Sequence, residues 1–522
     1  MRKLLCPQAA LPRYVYALIS GLLLLLAAPP IGIWPLALLG IVPLYLALRD
    51  ASPLNALFLA WFAGLVFLLA GSFWWVNLLE QFAGLSTISS LGITFLFCAY
   101  QTLVFALWGF GCSLLAGRCR VSWLLSGPLL MALAECIIPF FFKMYLAITV
   151  WQVWPLTQVA ELGGPPAVSG LLVLINIVLA EGLVAFAERR PFAGGVKTGA
   201  AVIAAVILLG LARAGYVAAQ RAGAPALQVG ILQPNFGIVP MEERKRHGEK
   251  YIRTLRQATH ELGRQGADLI IWPESAWPFL FDRQMAKEFP AAHPWALRPG
   301  VGGRLLFGSL SHTFGGNIVY NSAVLVSDSG LIAGRYDKGQ LVPFAEFVPL
   351  ADRYPNWAKE VRKKTPLWPA ITAGHGPQLL VDRELRIGPL ICSEDIDPTY
   401  AHRLAKQQPN LLVSMASDAW FGDSGGASQH LALAAFRAIE TRRDFVRATN
   451  TGVSAIIDAL GRVRLRGPLY EITENGQQPP APLTGEIRLL DITGFAPWIA
   501  RFVPLLCLLG LACAIWQVRS KK

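Results

Sequence analysis

Gly388-Pro389-Leu390-Ile391-Cys392-Ser393-Glu394-Asp395 is an apolar run with strand character that delivers a cysteine into a polar turn. A folded domain presents a nucleophile at the end of a strand in this way. Cys6, Cys98, Cys112, Cys119, Cys136, Cys507 and Cys513 all lie in or beside apolar, membrane-type segments, which leaves Cys392 alone in the polar region from about Ala224 to Asp491. It has no disulfide partner there and no Cys or His at metal-ligand spacing, so neither a metal nor a cofactor is expected. Taken singly, a buried free cysteine acting as a small hydrophobe explains it equally well.

Outward from this stretch the composition divides the chain. A hydrophobic fraction of 54% with 15% charged residues is far from the soluble average, and the apolar residues concentrate in 1–220 and again at 497–517. The net charge of +13 splits unevenly: 225–491 carries 30 Lys+Arg against 27 Asp+Glu, and the remainder carries 16 against 6. The excess therefore flanks membrane segments and reports topology, not nucleic-acid binding.

Eight segments have the ~20 apolar residues that cross ~30 Å of hydrocarbon: 11–28, 31–48, 54–76, 88–116, 122–142, 166–187, 198–219 and 497–517. A cleaved signal peptide is the competing reading of 1–28, but the next apolar segment follows almost at once. With the N-terminus cytoplasmic, Arg49, then Arg118 and Arg120, then Arg189, Arg190 and Lys197, and finally Arg519, Lys521 and Lys522 all fall on the cytoplasmic side. The reading is a seven-helix membrane domain (1–220), an extracytoplasmic domain (221–496), and an eighth transmembrane helix with a basic cytoplasmic tail (497–522). Glu80, Glu135, Glu161 and Glu181 are acids in or near these spans and count as functional candidates on that ground alone.

Within the polar region, short apolar runs at 227–232, 268–272, 318–326, 379–381, 387–391, 411–414, 445–448, 455–457 and 487–490 read as strands, and 242–265 and 430–443 as helices. The mixture predicts an α+β domain with a sheet core covered by helices. Two further stretches end strands in reactive residues. Ile270-Ile271-Trp272-Pro273-Glu274 places Glu274 past a buried strand that Pro273 stops, and Lys338 and Glu346 flank a Pro-broken loop. Each alone is no more than a solvated charge. With Cys392 they supply what acyl transfer through a thioester requires: a carboxylate to take the thiol proton, and a cation with a backbone N–H to hold the oxyanion.

The order Trp-Pro-Glu, then Lys with Glu eight residues on, then Cys-x-Glu resembles the nitrilase superfamily, whose members use a Glu-Lys-Cys triad in an αββα sandwich. With the eight spans and the segments Leu341–Pro349 (LVPFAEFVP) and Ser417–Gly422 (SDAWFG), the chain closely resembles the bacterial apolipoprotein N-acyltransferase family. The resemblance implies Glu274 as general base, Lys338 as oxyanion stabiliser, Cys392 as acylated nucleophile and Glu346 as a supporting glutamate, with Ser393 and Glu394 beside the nucleophile. It implies a bacterial inner-membrane enzyme that moves an acyl chain from a phospholipid, through the cysteine, to the α-amine of a lipoprotein's diacylglyceryl-cysteine, and a monomer is expected.

The chain departs from the family pattern at Ser393, where Tyr is usual, and in lacking a Trp near Met241 after Gln233-Pro234-Asn235. Trp277-Pro278-Phe279-Leu280-Phe281 and Pro366-Leu367-Trp368-Pro369 are apolar enough to rim a lipid entrance, with core packing as the alternative. The resemblance implies that Trp420 and Phe421 line the site, with core packing explaining these aromatics equally well. The histidines, His430 among them, are isolated in sequence and read as structural. Two other readings stay open: a membrane-tethered nitrilase-like amidase, and a non-catalytic lipoprotein-binding scaffold.

Overall fold

The computed structural model describes residues 10–140, 142–237, 243, 246–313, 318–364, 370–422, 424–469 and 479–520. The chain forms two compact units: Met1–Phe73, Leu91–Tyr216 and Gly494–Lys522 in one, Trp74–Ser90 and Val217–Thr493 in the other. The third stretch expected to span, 54–76, ends early: its helix runs Pro53–Gly71, and Trp74–Ala83 is a separate helix of the second unit.

Six helices among the described residues, most of their length in the first unit, are long and apolar enough to cross a membrane: Ala10–Ala27, Pro53–Gly71, Thr87–Cys119, Ala160–Ala187, Gly194–Gly223 and Ala496–Ser520. The other two expected spans are shorter, Trp34–Leu48 and Trp123–Ile137. Proline and glycine explain the first of these. Pro35, Gly40 and Pro43 break it into a 3-10 turn, Trp34–Leu36, and two helical pieces, Ala37–Gly40 and Val42–Leu48. In an apolar setting the freed backbone groups need partners, and the Asn176 amide supplies them. It accepts from Ile41 N at 2.8 Å and donates to Ala37 O at 3.0 Å. Three of the acids within apolar segments are likewise partnered: Glu161 takes a two-pronged ion pair from Arg213, Glu181 accepts from the Tyr45 hydroxyl, and Glu135 accepts from Leu146 N at 2.7 Å.

Among the described residues the second unit holds thirteen strands: β1 Ala226–Gln233, β2 Leu269–Ile271, β3 Phe281–Asp282, β4 Arg304–His312, β5 Val319–Val326, β6 Ile332–Asp337, β7 Leu380–Asp382, β8 Leu385–Ile391, β9 Leu411–Ala416, β10 Phe445–Thr449, β11 Ala455–Ile457, β12 Val463–Arg466 and β13 Ala481–Arg488. They form two sheets, β13-β1-β2-β4-β5-β6 with β3 beside β4, and β12-β11-β10-β9-β8-β7. Each has a parallel centre, β1-β2-β4 and β8-β9-β10, with antiparallel strands outside, apart from the two-residue β3, which runs parallel to β4. Parallel strands need both faces covered. The two sheets pack on each other through β1 with β10 and β5 with β8. Helix Gly248–Arg264 covers β1, β2 and β13, while Pro398–Ala405 and Gly426–Thr441 cover β8 and β10. This is the expected αββα sandwich.

β13 pairs antiparallel with β1 from Ala226↔Arg488 to Gln233↔Ala481, so the chain leaves the domain beside the strand by which it entered. The helix expected from 430 starts earlier, at Gly426, and every one of its residues to Thr441 is buried. β3, β4, β6 and β12 and the helices Pro355–Lys364 and Pro398–Ala405 were not anticipated from the sequence pattern. The largest omission is β4, a central strand whose Gly308, Ser309 and Ser311 interrupt the apolar run although they are as buried as their neighbours.

Candidate active site

Three strand ends converge on one spot. β2 stops at Ile271 and is followed by Trp272-Pro273-Glu274, held to the next strand by Trp272 N to Leu306 O at 2.9 Å and Trp277 N to Gly308 O at 3.1 Å. Gly308 is what lets this turn lie on β4: a Cβ there would stand 2.3 Å from Pro273 O and 2.8 Å from Glu274 Cα. Lys338 follows β6 directly, its approach fixed by Asp337, which receives Arg283 at 2.8 and 2.9 Å and the Ser322 hydroxyl at 2.6 Å. Cys392 follows β8, opens the 3-10 turn Cys392–Asp395, and has φ +53. A left-handed conformation costs a non-glycine residue ~1–2 kcal/mol, and it turns the side chain out of the strand direction at the nucleophile.

The predicted triad and its supporting glutamate meet there. Lys338 Nζ lies 2.9 Å from Glu346 Oε2 and 3.9 Å from Glu274 Oε1, and Cys392 is near enough to Glu274 for each to shift the other's ionisation. Lys338, Glu274 and Glu346 are all buried, while Cys392 keeps some exposure. Burial pushes the Glu274 carboxyl above its ordinary value, with Glu346 adding to the shift and Lys338, Asn321 and the thiol opposing it. Burial alone would lower the Lys338 amine, but Glu346, Cys392 and Glu274 outweigh it and hold the ammonium charged. The Cys392 thiol is raised by burial and by Glu274. The resting pair is therefore a protonated thiol facing a carboxyl that readily takes a proton beside a fixed cation.

Two residues around this centre carry more than the sequence disclosed. Asn321, on β5, donates its side-chain amide to Glu274 Oε1 at 2.8 Å and to Glu346 Oε1 at 3.2 Å, and its backbone carbonyl receives Lys338 N at 2.8 Å. The available signal was an amide inside the largely apolar run Val319–Val326. Glu394, named only as a neighbour of the nucleophile, uses both oxygens: Oε1 accepts from Gly339 N at 2.8 Å and Gln340 N at 3.1 Å, Oε2 from Ile391 N at 2.8 Å and Tyr336 OH at 2.7 Å. It thereby fastens the lysine loop to the cysteine turn, and burial lifts its carboxyl to about 7.

The expected substrate contacts are placed differently. Trp277, 3% exposed, and Phe281, 1% exposed, lie in the core cluster between the first sheet and helix Gly248–Arg264, so ordinary packing is the reading that applies to them. Phe279 packs on Trp277 and Trp295, at 5.8 and 5.0 Å between ring centroids. Trp420 is half-buried, and Phe421 contacts Trp74 at 4.7 Å and His430 at 5.9 Å. Ser393 is buried, and its hydroxyl has no hydrogen-bond partner among the described residues. Pro366–Pro369 and Met241 lie outside the described residues.

Residues 228–473 match the carbon-nitrogen hydrolase family and residues 20–178 the apolipoprotein N-acyltransferase N-terminal domain. The chain is 33% identical to an apolipoprotein N-acyltransferase of Geobacter metallireducens, over 92% of this chain and 90% of that protein. It is 30% identical to one of Pseudomonas putida, over 98% of each. Among solved structures, a carbon-nitrogen hydrolase from Helicobacter pylori is similar to 54% of this chain and 94% of its own, at 17% identity and a TM-score of 0.35. Matched along nearly its whole length, and with both of its parts recognised separately, the chain belongs to the apolipoprotein N-acyltransferase family.

Proposed function

We propose that the protein transfers a fatty acyl chain from a membrane phospholipid to Cys392, and from there to the α-amine of the N-terminal diacylglyceryl-cysteine of lipoproteins. The observation that carries this is the convergence of Glu274, Lys338, Glu346 and Cys392 in one buried site, in a chain whose relatives bear the acyltransferase name.

Glu274 takes the thiol proton as sulfur attacks the ester carbonyl of the donor. Lys338 and the backbone N–H of Ser393 hold the oxyanion of the tetrahedral intermediate. Collapse breaks the ester C–O bond, and Glu274 returns the proton to the departing lysophospholipid oxygen, leaving a thioester on Cys392. In the second half the lipoprotein amine attacks the thioester carbonyl, Glu274 accepts a proton from nitrogen, the C–S bond breaks, and the thiol is regenerated. Glu346 shares the lysine and keeps Glu274 free to cycle. The six long apolar helices support a reaction at a bilayer, where both substrates reside.

Intact-protein mass spectrometry tests the first half. After incubation with a defined phospholipid, the chain gains one acyl mass that hydroxylamine removes, and Cys392→Ser shows no hydroxylamine-labile gain. Folded protein with an accessible thiol and no adduct would sink the phospholipid-donor reading. Turnover of a small soluble amide by that same protein would point to the tethered amidase instead.

A further inference from the structure

Behind the nucleophile turn lies a second buried cluster that the steps above do not use. His430, on the helix Gly426–Thr441, places Nε2 at 2.8 Å from Asp395 Oδ1 and Nδ1 at 2.8 Å from Asp418 Oδ1. Asp395 closes the Cys392–Asp395 turn, and Asp418 stands in the loop after β9. Arg447, on β10, donates Nη2 to both oxygens of Asp418 at 3.0 Å, and its Nη1 lies 3.8 Å from Asp395 Oδ2. Ser414, on β9, donates to Asp395 Oδ2 at 2.6 Å. The approach is close enough that position 452 must be glycine: it has φ +97, and a Cβ there would meet Asp418 Oδ2 at 2.4 Å.

The hydrogen bonding fixes the protonation of the ring. Ionised carboxylates only accept, so each ring nitrogen must donate, and a neutral imidazole has a single N–H. Two cations against two carboxylates also leave this buried cluster electrically balanced, which isolated buried charges could not tolerate.

We infer that His430 is a positioning residue for acyl transfer. As an imidazolium donating from both nitrogens, it ties the turn that carries Cys392, through Asp395, to the loop after β9, through Asp418, and so holds the nucleophile against Glu274. The inference rests on the reading of Cys392 as the acylated residue.

The charge balance around the ring supports it. Burial and Arg447 oppose protonation, but Asp395 and Asp418 prevail and lift the imidazole to about 9. Asp395 in turn is held below the usual carboxylate range: burial works the other way, but His430 and Arg447 outweigh it. The charged groups facing the ring are thus Asp395 from the turn after β8, Asp418 from the loop after β9 and Arg447 from β10; on its own helix Arg437 and Glu440 pair with each other, and Glu440 with His402. Because the folded pKa is raised, the bridge's stability is fully present below the unfolded value, ~6.5, and is lost as pH rises through about 9.

The test uses the full-length protein in detergent with dioleoyl phosphatidylethanolamine as acyl donor. In single-turnover acylation, His430→Gln loses at least about 30-fold in rate at saturating lipid, with the half-saturating lipid concentration unchanged. Its deficit in Tm against the wild type is large at pH 7 and closes above about pH 9. Asp418→Asn, which keeps the size of the neighbour and removes one anion, moves the alkaline loss of acylation to lower pH. A His430→Gln chain that acylates as fast as a competent wild type overturns the positioning role. A Tm deficit that is constant from pH 7 to pH 10, or an alkaline limb that Asp418→Asn leaves in place, overturns the charged bridge. A wild type that never acylates Cys392 fails a different claim, the acyl-transfer reading and the positioning role built on it, while the Tm comparison still decides the bridge.

Discussion

Asn321 shows what one amide can do between two acids. Without it, Glu274 and Glu346 would face Lys338 with one fewer donor between them, and Glu274 would be easier to protonate, since the amide hydrogen bond favours its charged form. Hydrogen bonds to charged groups contribute ~1.5–3 kcal/mol, so Asn321→Ala should lower the acylation rate by roughly 10- to 150-fold. The sign of the pH effect is separate from that loss. Glu274 acts as a base only when ionised, so raising its pKa moves the acid limb of the rate profile upward. Single-turnover acylation from pH 5 to 8 measures both, and an unmoved acid limb would mean that the amide positions the carboxylates without tuning them. This residue was not legible in the sequence, because an Asn within an apolar strand is as consistent with a surface position as with a buried one. Glu274 and Cys392 were legible for the opposite reason: each stands just past the point where an apolar run stops, and a strand end is where a sheet presents side chains to substrate. Lys338 follows β6, which is too polar to read as a strand, and was legible only through its place in the Glu-Lys-Cys order.

At the scale of elements, the Glu274 turn depends on its neighbour strand. Gly308 is the contact point, with Pro273 O where a Cβ would stand. Gly308→Ala must displace either β4 or the turn, and both are backbone, so neither yields cheaply. Overpacking of this kind costs ~1–3 kcal/mol, read as a lower Tm, and it also moves Glu274 away from Cys392, read as slower acylation. Gly302, with open space where its Cβ would go, is the control: Gly302→Ala should stay within ~0.5 kcal/mol of wild type. Equal effects at the two positions would remove the close-approach argument. The same strand explains a gap in the sequence reading. Alternation and apolar runs located β1, β2, β5, β8, β9, β10 and β11 within a residue or two, but β4 carries Gly308, Ser309 and Ser311 because other backbone and hydroxyl groups meet it, among them the Ser322 hydroxyl 2.6 Å from that of Ser311. A strand whose residues are chosen by close approach loses the hydrophobic signature by which strands are found. The helix Gly426–Thr441 departs in the other direction: buried on every side, it shows no polar face from which its start could be placed.

For the molecule as a whole, the charge distribution carries an orientation that the fold by itself does not. Basic residues flank the apolar helices at Arg49, Arg118, Arg120, Arg189, Arg190 and Arg519, and a cytoplasmic N-terminus puts them all on one side. Under that topology the polar unit bearing Cys392 faces the extracytoplasmic compartment, where the diacylglyceryl-cysteine acceptors of an exported protein are displayed. That topology would also account for the absence of a second cysteine between Ala224 and Asp491, since a neighbouring thiol in an oxidising compartment would trap the nucleophile as a disulfide. The prediction is made with single reporter cysteines in a chain whose native cysteines are replaced. Lys363→Cys lies in the helix Pro355–Lys364, and the Lys363 side chain is 60% exposed. Arg118→Cys lies at an exposed position near the end of the apolar helix Leu103–Cys119. A membrane-impermeant maleimide added to intact spheroplasts should label the first and leave the second unlabelled until the membrane is opened. The reverse pattern would put Cys392 in the cytoplasm, reject the positive-inside assignment, and require lipoprotein acylation to precede export.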